Sequence, residues 1–290
     1  MKPYAYVGAY WPDRDFTLAQ RVGNLTVVNQ SILAQPERMA ALRESGLNII
    51  LNLSYLSQDL LTDPESAPEW PSHHHIYAGF YEAGLLDRIL AILIHDEPFL
   101  GLVGGRFATW PALRGGVDPT SPDVKEAFAR GLSTYAAALK RLFPGRYVGS
   151  TDSGWTRWDR RHEGWYAPLP EAFDFVGVDA YVPSPWDRDR AERIISRAYA
   201  ETSRCGRPIL AVPHAFRDES DLWRDMPTVG DLVQQLEILA RFPAVVGVCW
   251  FCLDHPNARN GAAGLAQHPG HLAATEWYAA WCRDARRVAA

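Results

Sequence analysis

The chain has 290 residues, of which 47% are hydrophobic and 22% are charged, so it can bury one large core or two ordinary ones. Its formal net charge of −5 gives no basic field for phosphate groups, which argues against a nucleic-acid partner. No run of about 18 apolar residues occurs, which argues against a membrane partner. The N-terminal residues lack the apolar stretch of a secretory signal, so a cytoplasmic location is expected unless a signal peptide has been removed.

The four cysteines are too few for a disulfide framework in a chain of this length. Cys249 and Cys252 form a C-x-x-C pair, but they lie in a strand-like segment where residues three apart point to opposite faces. They are therefore interpreted as buried thiols rather than as metal ligands. No cofactor and no metal ion is expected from the sequence.

Eight short segments rich in aliphatic and β-branched residues are predicted to be β-strands. They cover residues 4–11, 24–30, 48–54, 89–96, 146–152, 173–181, 208–216 and 244–251. Helical spacing of apolar residues between them predicts helices over residues 36–45, 121–143, 187–204 and 228–242. The first of these begins at Pro36 and is followed by Gly46, which is the chemistry of a helix start and a helix stop.

Nearly apolar strands that alternate with helices predict a parallel sheet covered by helices, in the α/β class. Eight such units in 290 residues favour a closed (β/α)8 barrel, the TIM-barrel architecture. An open doubly wound sheet is the alternative, but no glycine-rich phosphate loop follows the first strand to support it. No low-complexity linker interrupts the chain, so residues 1–290 are predicted to form a single domain. The oligomeric state is not predicted.

Two intervals are unusually long and are predicted to be loops after strands three and four. Residues 55–88 and 100–120 are rich in Pro, Gly and Trp. Loops of this length usually serve a functional site, and in a barrel they lie on the face where active sites are built. The first contains three consecutive histidines, His73 to His75, which an extended loop would splay apart. A solvated loop or a substrate subsite is therefore favoured over a metal site.

Acidic and aromatic residues gather at the C-terminal ends of the predicted strands. The segment ILIHDEPF, residues 92–99, runs from aliphatic residues directly into Asp96 and Glu97. Unpaired charge is costly to bury, so these acids are expected where the strand leaves the core. Asp152 and Asp179 are further catalytic candidates, and the candidates for substrate binding are Trp11, Tyr55, Trp155, Tyr181, His214, Trp250 and Asp254. Aromatic faces beside carboxylates suit a sugar, whose ring stacks while its hydroxyl groups hydrogen-bond.

These candidates also have structural interpretations. The aspartates at the ends of strands five and six could cap the helices that follow. The tryptophans could belong to the core, and His214 could be a buried polar residue with satisfied hydrogen bonds. Glu97 offers little to packing between an aspartate and a proline, so catalysis or ligand contact is favoured for it.

Three segments resemble those of TIM-barrel glycoside hydrolases: HDEP after strand four, FDFVGVDAY of strand six and VVGVCWF of strand eight. In the large clan of retaining barrel glycosidases, strand four carries an acid/base glutamate within an Asn-Glu-Pro-like sequence. The resemblance implies that Glu97 is the general acid/base in the cleavage of glycosidic bonds of an oligo- or polysaccharide. Strand seven departs from the clan's pattern, because AVPHAF, with His214, stands where the nucleophilic glutamate is placed. Asp218 and Glu219 lie a little downstream.

Glycosidic hydrolysis needs a second carboxylate opposite the acid, and Asp152 or Asp179 could supply it. The adjacent pair Asp96 and Glu97 also resembles hexosaminidases that use the acetamido group of their substrate, with the aspartate orienting that group. Neighbouring residues on a regular strand face opposite ways, so this alternative requires a kink at Pro98.

Two further alternatives belong to other functional classes. A barrel that has lost its strand-seven nucleophile could bind carbohydrate without cleaving it. A metal-dependent hydrolase could instead use His95, Asp96 and His214.

Overall fold

A computed structural model describes residues 1–10, 16–53, 65–66, 69–103, 110–113, 116–153, 169–218, 222–251, 253 and 263–289. Within them, eight parallel strands pair in chain order, and the first closes on the last. The strands are β1 Tyr6–Tyr10, β2 Leu25–Asn29, β3 Asn48–Asn52, β4 Ile89–Leu93, β5 Tyr147–Ser153, β6 Phe175–Asp179, β7 Ile209–Ala211 and β8 Val245–Trp250. The predicted (β/α)8 barrel is confirmed, and the open-sheet alternative is wrong.

Helices connect the strands and cover the barrel. Within the described residues the α-helices are α1 Phe16–Val22, α2 Pro36–Ser45, α3 Pro71–Glu82, α4 Pro98–Val103, α5 Pro122–Leu142, α6 Arg188–Ser203, α7 Val229–Leu239 and α8 Pro269–Ala289. Short 3-10 turns cover Gln30–Ala34, Leu86–Arg88, Pro111–Leu113 and Leu265–Gln267. The α2 helix has the predicted bounds, and Gly46 ends it with a left-handed φ of 68°. Among the described helices, none is long and apolar enough to cross a membrane.

Strand alternation divides the apolar side chains between two cores. One core fills the inside of the barrel and includes Leu25, Val27, Ile50, Leu93 and Phe175. The other lies between the strands and the helices and contains the intervening strand residues. We call these the lumen core and the helix-side core. Because successive strand residues face opposite ways, the position of a residue in its strand decides which core it joins.

The fourth strand is shorter than predicted. It ends at Leu93, so Asp96 and Glu97 lie beyond it, and α4 begins at Pro98. The N–H of Ile94 still donates to the carbonyl oxygen of Gly149 on β5, at 3.0 Å. The acids therefore follow the strand closely, but the strand itself does not orient them.

The three consecutive histidines lie in α3, so the predicted extended loop is wrong at this point. Pro71 is in the first turn, and Ile76 and Phe80 are buried at helical spacing. His73 is also buried, and its Nε2 lies 2.7 Å from the hydroxyl of Tyr135 in α5. His73 therefore packs between two helices.

Protonation of His73 is expected to destabilise the fold. Burial lowers the pKa of His73 from 6.5 to about 4. The unfolded chain binds this proton at higher pH than the folded chain, so stability is lost as the pH falls from about 6.5 to about 4. The expected contribution of His73 to this loss is on the order of 3 kcal/mol. We expect His73→Gln to remove this contribution to the loss of stability. Urea unfolding of the variant and of the wild-type protein at both pH values measures it.

The matched control is His75→Gln, because His75 is exposed on the same helix. It should leave the acid dependence of stability unchanged. An equal effect of the two substitutions would contradict the assignment to the buried histidine.

Candidate active site

Asp179 reaches the mouth of the barrel from β6. It is the last residue of this strand, and its side chain is 4% exposed. Two residues earlier, Gly177 pairs in register with Thr151, whose Oγ1 lies 3.4 Å from the hydroxyl of Tyr10. Tyr10 belongs to the lumen core. Since alternate strand residues share a face, Asp179 points into the lumen, at its C-terminal end.

Asp152 faces the opposite way. It pairs in register with Val178, which belongs to the helix-side core, and it shares its face of β5 with Val148 of the same core. Asp152 is also 4% exposed. The two candidate aspartates on neighbouring strands therefore lie on different sides of the sheet, and only Asp179 faces the lumen.

Glu97 lies in a strained backbone turn. Its φ is 51°, and among the described residues it is the only non-glycine residue with a positive φ. Such a conformation costs on the order of 1–3 kcal/mol and is concentrated at functional sites. The carbonyl oxygen of Glu97 accepts the first hydrogen bond of α4 from the N–H of Gly101, at 2.9 Å. The kink expected at Pro98 thus lies one residue earlier, at Glu97 itself.

The buried phenol of Tyr181 is affected by all three acids. Burial raises the pKa of Tyr181 well above its ordinary value, and the negative charges of Asp179, Asp96 and Glu97 raise it further. Burial likewise raises the pKa of Tyr10, with a contribution from Asp96 and a smaller one from Asp179. Asp96 and Asp179 therefore act on both rings, and Glu97 acts on Tyr181. Both phenols stay protonated and can donate hydrogen bonds.

Aromatic rings cover the other side of the mouth, along β6, β7, β8 and β1. The ring of Tyr181 lies 5.2 Å from that of Phe216 and 5.7 Å from that of Phe251, and Phe251 lies 5.7 Å from Tyr10. Trp223 lies 5.9 Å from Phe216. We call these five residues the aromatic wall. Tilted and edge-on contacts of this kind hold rings in fixed positions, so the wall is a preformed surface.

Trp250 is not part of the aromatic wall. It is 0% exposed and belongs to the helix-side core. Cys249 precedes Trp250 in β8 and Phe251 directly follows the strand, and both pack in the lumen core, on the face opposite to Trp250. Phe251 was not predicted as a site residue, although the alternation along β8 would have distinguished it from Trp250.

His214 packs against the aromatic wall. It is 1% exposed, and its ring lies 4.6 Å from Phe216 and 5.5 Å from Tyr181. Burial lowers the pKa of His214 to about 4, so the ring is neutral near pH 7. Gln235 of α7 binds its backbone on both sides, since its Oε1 accepts from the His214 N–H and its Nε2 donates to the carbonyl oxygen, each at 2.9 Å. His214 therefore supports the wall from the position where the clan carries a glutamate.

The remaining candidates from the sequence are outside the described residues: Trp11, Tyr55, Trp155 and Asp254, together with Glu219 and Cys252. In the part of the chain that the structure describes, no group of three His, Cys, Asp or Glu side chains could hold a metal ion. The Nδ1 of His95 lies 2.6 Å from the carbonyl oxygen of Asp96. The described residues thus give no support to the metal-dependent alternative.

The fold is the (β/α)8 barrel of solved glycoside hydrolases. Three such structures are similar to this chain. A β-glycosidase has a TM-score of 0.54 and 14% identity, over 92% of this chain and 84% of its own. A β-mannanase from the blue mussel Mytilus edulis has a TM-score of 0.54 and 12% identity, over 91% and 82%. An exo-β-1,4-mannosidase from Opitutaceae bacterium strain TAV5 has a TM-score of 0.56 and 12% identity, over 94% and 56%.

Identities this low show a shared fold and nothing about the reaction. Neither a protein-family model nor a curated protein matches the chain.

Proposed function

We propose that this protein is a glycoside hydrolase and that Glu97 is its general acid/base. One observation carries the proposal: Asp179 ends β6 on the lumen side, Asp96 and Glu97 follow β4 at the same end of the barrel, and the aromatic wall lies beside them. This is the C-terminal face of the barrel, where (β/α)8 enzymes carry their active sites. The names of the similar structures, a β-glycosidase, a β-mannanase and an exo-β-mannosidase, support a β-linked sugar as the substrate.

Each group has a role in this reaction. Glu97 protonates the glycosidic oxygen as the bond to the leaving group breaks. Asp179 is the second carboxylate and takes the place of the absent strand-seven glutamate. It either attacks the anomeric carbon or activates the water that does so. Tyr10 and Tyr181 donate hydrogen bonds from phenols that their surroundings keep protonated. The aromatic wall supplies an apolar surface for the sugar ring.

The position of Asp96 favours a second candidate, a hexosaminidase that uses the acetamido group of its substrate. Asp96 and Glu97 are adjacent, and the negative charges of both raise the pKa of Tyr181. The left-handed turn at Glu97 breaks the alternation that a regular strand would impose on them. In this mechanism Asp96 orients the acetamido group, whose oxygen attacks the anomeric carbon while Glu97 protonates the leaving oxygen. Asp179 then does not serve as the nucleophile.

Incubation with β-1,4-linked oligosaccharides of glucose, mannose and N-acetylglucosamine tests both candidates. We expect the wild-type protein to release reducing ends from at least one of them and Glu97→Gln to release almost none. Release confined to the N-acetylated substrate would select the hexosaminidase mechanism. Sugar binding without release by the wild-type protein would contradict the proposal and identify a carbohydrate-binding barrel instead.

A further inference from the structure

Two asparagines lie on β2 and β3, across the mouth from Tyr181 and Phe216 of the aromatic wall. Asn29 is the last residue of β2, Asn52 is the last residue of β3, and the two are register partners. Asn29 occupies the same face of its strand as Val27, and Asn52 the same face as Ile50, both of the lumen core. Adjacent strands lie about 4.8 Å apart, so the two carboxamides lie side by side at the C-terminal end of the lumen. We call them the asparagine pair.

Asn29 does not cap the turn that follows it. It occupies the cap position of the 3-10 turn Gln30–Ala34, yet its side chain makes no capping hydrogen bond within the described residues. Its Oδ1 is buried and has no hydrogen-bond partner among the residues that the structure describes. Folded proteins contain few buried polar atoms of this kind, so such an atom calls for an explanation.

Asn29 as a whole is only partly buried, so the residue is not sealed inside the core. The terminal torsion of asparagine is broad, so rotation about it can exchange the positions of the oxygen and the amide nitrogen. A ligand hydroxyl there would supply a hydrogen bond to Oδ1 that no described residue makes.

The asparagine pair is next to the strand that leads to the acids. Asn52 pairs in register with Leu93, the last residue of β4, and the N–H of Leu53 donates to the carbonyl oxygen of Leu93 at 2.8 Å. Around the mouth, the carboxamides of β2 and β3 are thus followed by the acids of the β4–α4 turn and by Asp179 of β6. The aromatic wall occupies the rest of the mouth, from β6 to β1.

We propose that the asparagine pair is a subsite that binds two neighbouring hydroxyl groups of the glycosyl unit, an inference that rests on the proposed function. A carboxamide has two N–H donors and an oxygen that can accept two hydrogen bonds, and a sugar hydroxyl can also donate and accept. Two adjacent carboxamides therefore match a vicinal diol. With its hydroxyl groups on this side, the sugar ring turns its apolar face toward the aromatic wall. The substrate class is a glycoside whose bound ring carries an unsubstituted vicinal diol.

The test compares kcat/KM for 4-nitrophenyl β-glucoside and β-mannoside with the values for deoxy analogues that each lack one ring hydroxyl. Loss of a hydroxyl bound by the pair should lower kcat/KM of the wild-type protein about tenfold. Asn29→Ala and Asn52→Ala should each lower kcat/KM of the parent glycoside about tenfold. For these variants, removing the hydroxyl that the mutated asparagine binds should have little further effect.

The matched control is Asn48→Ala, at the opposite end of β3, where the side-chain Nδ2 donates to the carbonyl oxygen of Asn24 at 3.1 Å. This variant should keep the full discrimination against the deoxy analogues. Thermal unfolding shows whether each variant is folded. If Asn29→Ala does not fold, Asn29→Asp retains the shape and the acceptor but not the donor, and it should show reduced discrimination.

Failure of the subsite and failure of the proposed function would give different results. Unchanged discrimination in folded Asn29 and Asn52 variants would overturn the subsite and leave hydrolysis intact. A wild-type protein that turns over none of these glycosides or the oligosaccharides would contradict the proposed function, and the subsite with it.

Discussion

Glu97→Gln is expected to lower kcat by about 10²–10⁴-fold, the usual effect of losing a general acid. Glutamine has nearly the same shape but cannot deliver a proton to the leaving oxygen, so sugar binding should change little. Initial rates with 4-nitrophenyl glycosides give kcat, and calorimetric titration of the variant with an oligosaccharide gives the affinity. Full turnover by Glu97→Gln would end its assignment as the acid, and a change in affinity alone would favour a binding protein.

The backbone at Glu97 provides a control for folding. Its left-handed conformation is strained for any residue with a Cβ, whereas glycine adopts it without this cost. We therefore expect Glu97→Gly to be more stable to urea than Glu97→Ala by about 1 kcal/mol, and both to be inactive. If Glu97→Gly is inactive although it is more stable than Glu97→Ala, its loss of activity comes from the missing carboxyl group and not from a destabilised fold.

Asp179→Asn is expected to have the second-largest effect, a loss of about 10²-fold or more in kcat. Its side chain faces the lumen beside Tyr181, where a second carboxylate would meet the sugar ring from the β6 side. The matched comparison is Asp152→Asn on the neighbouring strand. Asp152 is equally buried but faces the helix-side core, so its substitution should reduce stability and leave kcat within about threefold of the wild type.

The reverse result, a large loss for Asp152→Asn and little for Asp179→Asn, would contradict the orientation inferred from strand register. A small effect of Asp179→Asn together with a large effect of Asp96→Asn on N-acetylated substrates would select the hexosaminidase mechanism. The two series therefore assign the second catalytic group by measured rates.

The closed barrel and the place where the acids gather could be predicted from local sequence. Apolar segments separated by helical spacing identify strands and helices without knowledge of their partners, and eight such units are the number that a barrel needs. Asp96 and Glu97 directly follow an apolar segment, and charge is not buried without compensation. The sequence by itself therefore determined the architecture and the end of the barrel where the acidic residues lie.

Only the tertiary structure decided which side chains face the mouth. Asp152 and Asp179 both end apolar segments, but the pairing of β5 with β6 turns one toward the helices and the other into the lumen. The same alternation puts Trp250 in the helix-side core and Phe251 in the aromatic wall. A shift of one residue in register exchanges the two faces of a strand, and short apolar segments do not determine their register alone. Register is a property of paired strands, so it emerges only when the barrel closes.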